Sequence, residues 1–471
     1  MLSPHASRYR SLTVRLLGSI LLALGTVASV GADSLLAQDD AGAQQVPPAT
    51  DLRLYDIVDA VSADRIEADI RTLAGFGTRH TLSDTTSSER GIGAARRWLE
   101  DEFKQISSAC DGCLEVETQR FVIEGEDRIP DATTIVNVYA VQRGTTHPDR
   151  YVIMSGDIDS RASDVMNDSI DAPGANDNAS GLAGALEAAR VLSKYEFGSS
   201  IIYAGLSGEE QGLFGGAHMA KVARENGWDI AGVLNNDMIS NAEGQDGVLD
   251  NTVYRVFSQY NIPSEEDRWS ERYFGGENDS PSRNLARYVA RMTNLYMANL
   301  DAMMVYRLDR FGRGGHHTPF NNEGFPAVRI MEAHEDYTEQ HQDIRTEDGI
   351  DYGDTIDEIY PRYAAKLTAA NAIVLAGIAD APPEPQDVKI GGAVQPSTTL
   401  SWSAVEDDAL AGYKIYWRKT TAPQWETSRF IGDVTEFTLE NVIIDNYLFG
   451  VAAVGENGNE SPVVFPTSLL R

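Results

Sequence analysis

YVIMSGDIDS, Tyr151 to Ser160, decides the reading of this chain. An unbroken run of apolar and small residues meets a glycine and then two aspartates. A short continuous apolar run bounded by a turn signal is the pattern of a strand buried on both faces. The pattern recurs. GANDNASG (Gly174 to Gly181) leads into an Ala- and Leu-rich helical stretch, Leu182 to Leu192. The strand-like run Ser200 to Leu206 meets GEEQG (Gly208 to Gly212), and Ile230 to Leu234 meets NNDM with Asp237. Strands alternating with helices indicate an α/β three-layer sandwich with a largely parallel, mixed central sheet. Ligands of such sheets gather beyond the carboxyl ends of the strands, where these acidic motifs fall.

Further elements follow outward from this centre. Helices are expected over Ala63 to Leu73, from near Ser88 through Ile92, Leu99 and Phe103, over Leu285 to Met303, and over Tyr360 to Ile378. Gln119 to Ile123, Thr134 to Val141 and Phe325 to Ile330 read as strands. Asn241 to Ser282 is rich in Gly, Asp, Glu and Asn and reads as a long surface excursion. DAPPEPQ (Asp380 to Gln386) is a composition break, which predicts a domain border with few contacts across it.

Beyond that break come short strand patterns: TLSW within Thr398 to Ser403, YKIYWR (Tyr413 to Arg418), FTL (Phe437 to Leu439) and Tyr447 to Ser461. With Trp402, Tyr413 and Tyr447 at the matching places, residues 381–471 resemble a fibronectin type III domain. That resemblance implies an all-β immunoglobulin-like sandwich, either a spacer or a contact to a surface or polymer.

Composition limits the function. The 471 residues are 42% hydrophobic and carry a net charge of −32. Such a chain is globular, and its charge argues against nucleic acid as a partner, because phosphate binding needs a basic face. Arg8, Arg10 and Arg15 precede the apolar run Leu16 to Val30, followed by small residues at Ala32 and Ala37. This is the pattern of a signal peptide over residues 1–37, with a polar linker over 38–50. No later run reaches the roughly 18 apolar residues of a membrane span, so the expectation is a secreted or periplasmic protein without stable membrane insertion. In an exported protein, Cys110 and Cys113 are expected to form a small local disulfide.

Carboxylates at strand ends plus a distant histidine suit a hydrolytic site with two divalent ions about 3.5–4 Å apart, one carboxylate being shared. Such a site also needs an unligated acid to move a proton. GAND with Asp177, GEEQG with Glu209 and Glu210, NNDM with Asp237 and QHQD with His341 together resemble metallopeptidase family 28, the co-catalytic zinc aminopeptidases and glutamate carboxypeptidases. HTPF (His317 to Phe320) and GFPAVR (Gly324 to Arg329) add to the resemblance, which spans roughly Asp51 to Ile378 within a peptidase domain over 51–380.

The resemblance implies Asp177 as bridging ligand, Glu209 as general base, Glu210 and Asp237 as terminal ligands, and His341 completing the glutamate-bearing site. It implies a metal-bound hydroxide attacking peptides. One departure stands out. The family's first ligand is a histidine, and here that position is Asp157, with Asp159 retained behind it. If Asp157 binds directly, zinc at one site would be joined by manganese or another hard ion at the all-oxygen site. The activity expected is an aminopeptidase. The alternatives are a carboxypeptidase, a weakly catalytic adhesion protein, and a glutaminyl-cyclase-like acyltransferase. His316, His334 and Tyr337 are weighed as ligand or oxyanion donor, with packing as the blander reading. Arg79 and His80 read as structural.

Overall fold

The structure, a computed structural model, describes residues 45–260 and 274–470. The expected signal peptide, and residues 38–44 of the expected linker, lie outside the described residues. From Gln45 onward the chain forms one compact unit.

Eight strands build the central sheet: β1 (Leu114–Ile123), β2 (Thr133–Gln142), β3 (His147–Asp157), β4 (Ser199–Leu206), β5 (Asp229–Asn236), β6 (Val253–Ser258), β7 (Asp301–Val305) and β8 (Ala327–Glu332). Their order is β1-β2-β4-β3-β5-β8-β6-β7. β3 pairs in parallel with β4 and β5, β5 with β8, and β6 with β7. The pairs β1–β2, β2–β4 and β6–β8 are antiparallel.

The unbroken apolar runs are explained by burial on both faces. On β3, Val152 and Met154 enter one core, and Tyr151 and Ile153 enter the other. β4 divides likewise, Ile201 and Tyr203 against Ile202, Ala204 and Leu206. Successive side chains of a strand point to opposite faces, so a strand between two helical layers needs an apolar residue at every position. The larger core includes residues of the helices Arg53–Ala60, Ala63–Gly75, Gly91–Ala109, Gly181–Leu192, Pro281–Tyr296 and Pro361–Ala379. The other face packs Met219, Ala220 and Ala223 of the helix Phe214–Glu225, with Phe320 of the short helix His317–Asn322. Each fully buried Leu, Ile or Phe of these layers contributes roughly 1.5–3 kcal/mol.

Two expectations are corrected. The excursion Asn241 to Ser282 contains β6, whose Tyr254 and Val256 are buried. Its four apolar residues, Val253, Tyr254, Val256 and Phe257, are split by Arg255 and hidden among acidic and amide residues, and pairing with β7 and β8 creates the strand. The helix expected over Leu285 to Met303 ends at Tyr296, and Met303 lies in β7. The apolar residues continue past the helix end, so periodicity alone did not show where it stops. Cys110 and Cys113 are disulfide-bonded. No helix among the described residues is long and apolar enough to cross a membrane.

The C-terminal region forms two further sheets. One joins Gln386–Gly391, Thr398–Ser403, Glu436–Leu439 and Ser468–Leu469, and the other joins Leu410–Lys419, Thr427–Gly432 and Tyr447–Gly455. Trp402, Tyr413, Ile415, Phe449 and Val451 share their core. The rings of Trp402 and Tyr413 lie 5.2 Å apart, and the Val405 N–H donates to the Tyr413 hydroxyl over 2.7 Å.

The composition break is not a gap in contacts, contrary to expectation. Asp279 is fully buried between Arg287 at 2.8 Å and Arg418 at 2.6 Å, the latter from the C-terminal sheets. Arg150 pairs with Glu384 at 2.9 Å, His147 meets Asp407 at 2.8 Å, and the Asn459 amide donates to Asp51 over 2.9 Å. Proline-rich composition marked the change of architecture. Long polar side chains, whose partners are remote in sequence, tie the two parts together.

Candidate metal centre

The site forms where β3, β4, β5 and β8 end. Asp157 is the last residue of β3, and Asp237 follows β5 directly. The turn GANDNASG lies against the end of β3, because a Cβ on Gly156 would overlap the backbone of Gly181 and Leu182. Asp354 fixes this turn by accepting the Asn176 N–H over 2.7 Å and the Asp177 N–H over 2.6 Å. The buried Glu332 accepts from the Asn176 amide over 2.9 Å and from the Asn241 N–H over 2.9 Å. The Asp177–Asn178 peptide bond is cis.

Asp159 faces the backbone of the GEEQG turn. Its carboxylate accepts the N–H groups of Gly208 at 2.8 Å, Glu209 at 3.2 Å and Glu210 at 3.1 Å, with the Thr81 hydroxyl at 3.0 Å. A carboxylate receiving several N–H groups at the start of a helical turn satisfies otherwise orphaned donors. Asp159 therefore holds the turn that carries both glutamates.

Three of the expected ligands converge. His341 Nε2 lies 3.0 Å from Asp177 Oδ2 and 3.0 Å from Glu210 Oε1. One ligand atom from each of Asp177, Glu210 and His341 lies within 4.8 Å of the other two. Two carboxylate oxygens and an imidazole nitrogen are a donor set that suits zinc. Electrostatics agree that a cation belongs there. Burial alone would lower the basicity of His341, but Glu210 and Asp177 together outweigh it and push the ring up to about 9. His341 adopts a left-handed φ of 57°, which is uncommon for a residue other than glycine. Asp343 links this loop elsewhere, its N–H donating to the Ser163 hydroxyl over 2.9 Å.

Glu209 stands beside the cluster. Burial, then the charges of Glu210, Asp237, Asp157 and Asp177, push its carboxyl well above the usual range. Its carboxylate has no hydrogen-bond or ion-pair partner among the described residues.

Asp157 and Asp237 are held differently. Asp157 Oδ1 lies 2.6 Å from His316 Nδ1, and Asp157 Oδ2 accepts from the Asn178 amide over 2.6 Å. Asp237 Oδ2 lies 3.0 Å from Nη2 of the fully buried Arg329, an ion pair rather than an aligned hydrogen bond. Arg329 is bound in turn to Asp309 at 2.8 Å and donates to the Gly314 carbonyl. Asp157 does not join the converging set: both of its oxygens take side-chain donors in this structure.

Sequence reasoning missed Arg329, His316 as the partner of Asp157, and Asp354. A signal for Arg329 existed, since GFPAVR puts a charge at the end of an apolar run, and a charge inside a buried strand requires a partner. The remaining polar candidates lie outside the converging set. Arg79 is buried and donates to the carbonyls of Ile158, Leu73, Pro173 and Gly174. His80 bonds the Val165 carbonyl, and His317 the Leu308 carbonyl. His334 is outside the cluster, beside Gly244, and Tyr337 is 56% exposed.

Comparison with known proteins agrees with this geometry. Residues 137–360 match Peptidase family M28. A "Probable zinc metalloprotease" of Leptosphaeria maculans is 41% identical over 424 residues, covering 89% of this chain and 98% of that protein. The chain belongs to peptidase family M28. A second "Probable zinc metalloprotease", from Pyricularia oryzae, is 38% identical over 93% of this chain and 91% of its own length. Among solved structures, the LapA aminopeptidase of Legionella pneumophila superposes with a TM-score of 0.51 at 18% identity, over 73% of this chain and 79% of that one. At that identity the likeness is one of fold. As a family member, the M28 chain is a hydrolase of the zinc metalloprotease class that acts on peptides.

Proposed function

We propose that this protein is an exported, zinc-dependent exopeptidase acting as an aminopeptidase. The observation that carries the hydrolytic reading is the convergence of Asp177, Glu210 and His341 beside the unpartnered Glu209. Held by those three side chains, zinc supplies Lewis acidity toward a carbonyl and lowers the pKa of water. Glu209 takes the proton of the attacking water and returns it to the leaving amine, as a carboxylate with a raised pKa is suited to do. Asp159 keeps Glu209 and Glu210 on their turn, and Asp354 keeps Asp177 in place. The excess of carboxylates around the cluster suits the ammonium group of a peptide N-terminus.

One observation favours a second reading, a carboxypeptidase. A cavity of about 430 Å³ is lined by Arg255, Arg307, Arg310 and Arg313, with Glu335 and Tyr337. It adjoins the centre, because Arg310 Nη1 donates to Gln340 Oε1 over 3.3 Å and the Gln340 amide donates to Asp177 over 3.0 Å. Two of these arginines are engaged by Glu335. The surplus positive charge, in a chain of net charge −32, suits a substrate carboxylate. Peptides blocked at one end or the other separate the readings. Cleavage of C-terminally amidated but not N-acetylated peptides supports the aminopeptidase, and the reverse supports the carboxypeptidase.

The C-terminal sheets are read as a fibronectin type III-like module serving as spacer or surface contact, with the N-terminal segment as its export signal. Sequencing the N-terminus of the mature protein tests the export signal: a chain starting near Ala37 agrees, and retention of Met1 does not.

A further inference from the structure

We propose that this protein holds one catalytic metal ion per chain and that Arg329 occupies, in charge, the place of a second. The inference rests on the hydrolytic reading above and departs from the two-ion arrangement that the family resemblance implies.

The acidic residues divide into two groups. Asp177, Glu210 and His341 form, among the described residues, the one group of three or more such side chains with ligand atoms within 4.8 Å of one another. Asp157 and Asp237, which would hold a second ion beside Asp177, are each paired with other side chains of the protein. A buried charge needs a compensating charge or hydrogen bonds. Asp237 has the Arg329 guanidinium at 3.0 Å. Asp157 has His316 on one oxygen and the Asn178 amide on the other, each at 2.6 Å.

Arg329 cannot easily withdraw. It has no solvent exposure, and its other contacts are the buried Asp309, at 2.8 Å and 3.0 Å, and the Gly314 carbonyl at 2.9 Å. Asp309 is itself held down to about 2, because Arg329 with His317 and Arg310 overcomes its burial. A divalent ion coordinated to Asp237 Oδ2 would sit at about 2.0–2.2 Å from that oxygen, hence close to a fixed guanidinium in a low-dielectric setting. Like charges at that range repel strongly, which disfavours a second ion on Asp237 while the guanidinium stays in place.

His316 and His317 are the remaining donors that could recruit an ion on this side. Nε2 of His316 and Nδ1 of His317 are buried and have no hydrogen-bond partner. Among the described residues neither ring belongs to a group of three such ligand atoms within 4.8 Å of one another, so neither has the companions an ion needs.

The test is metal content of the full-length protein, loaded with excess zinc, desalted and measured by plasma mass spectrometry. One zinc per chain is expected. Two tightly held ions per chain overturn this inference and leave the zinc-hydrolase reading standing, whereas none overturns both. Anomalous diffraction at the zinc edge locates the ion: a single peak among Asp177, Glu210 and His341 is expected, and a second beside Asp157, Asp237 or His316 refutes the proposal. In Arg329→Met, if the protein is folded by circular dichroism, the count should rise from one toward two. A folded variant that still binds one ion would show that the guanidinium is not what excludes the second. If the variant does not fold, the wild-type count and the diffraction peak still decide.

Discussion

The two halves of the acidic centre start from the same chemistry and end in opposite states. On one side, Asp177 and Glu210 converge on the imidazole of His341. On the other, Asp157 and Asp237 are more deeply buried than Asp177, and their partners are His316, Asn178 and Arg329. The lesson is that carboxylates in a motif do not by themselves make a metal site. What matters is whether the partners the fold supplies are themselves ligands converging on one point, as His341 is for Asp177 and Glu210, or a guanidinium, as Arg329 is for Asp237. A third cluster, Asp279 between Arg287 and Arg418, gives a reference: a buried carboxylate neutralised by arginine at a seam with no chemistry attached.

The strongest challenge to this comparison is Glu209→Gln. If the unpartnered carboxylate beside the open half moves the proton, the variant keeps its zinc and loses about 10²–10⁴-fold in kcat, the usual worth of general acid–base catalysis. Near-normal turnover of the metal-loaded variant would remove Glu209 from that role. Next in size is a pair of substitutions, Arg329→Met and Arg418→Met. Each strips one partner from a buried ion pair, and each should cost about 3–5 kcal/mol in urea unfolding. Excess zinc should restore part of the loss for Arg329→Met alone, because only there can an ion replace the guanidinium. Equal response of the two variants to zinc would erase the distinction between the closed half-site and the structural seam.

A smaller effect is expected from pH. Burial, only partly offset by Asp309, holds His317 down to about 4. The unfolded chain protonates this ring near 6.5 and the folded one only near 4, so its contribution is complete above pH 6.5. It is lost as pH falls through that window, at about 1.4 kcal/mol per unit. Urea midpoints measured from pH 7.5 to 4.5 should fall, and His317→Phe should flatten the slope over that range. An unchanged slope would mean that the ring is not buried in its neutral form. The smallest change should come from Asp157→Asn, with one zinc still bound and kcat within about tenfold of wild type, less than general-base removal costs. Loss of the ion in that variant would return Asp157 to the metal.

The M28 fold was legible because its central strands are buried on both faces, and that requirement writes an apolar or small residue at every position of Tyr151 to Ser155 and Ser200 to Leu206. The strand-end carboxylates were legible for a related reason, since glycines beside them mark turns where the backbone must pass closely, as at Gly156 and Gly181. β6 was not legible, because a six-residue strand interrupted by an arginine carries little signal until its neighbours pair with it. The contacts across Asp380 to Gln386 were missed because Asp279 and Arg418 have no sequence relation that local pattern can express.

The sequence by itself determined the layers, the positions of Asp177, Glu209, Glu210, Asp237 and His341 at the open end of the sheet, and the absence of the expected histidine at Asp157. Only the tertiary structure decided which partners those carboxylates have. The partners are brought within about 3 Å by packing: Arg329 from β8, His316 from the loop before the helix His317–Asn322, and Asn178 from the turn after β3. Hydrophobic periodicity is a local property of the chain and survives in one dimension, whereas charge compensation is a property of distances in three.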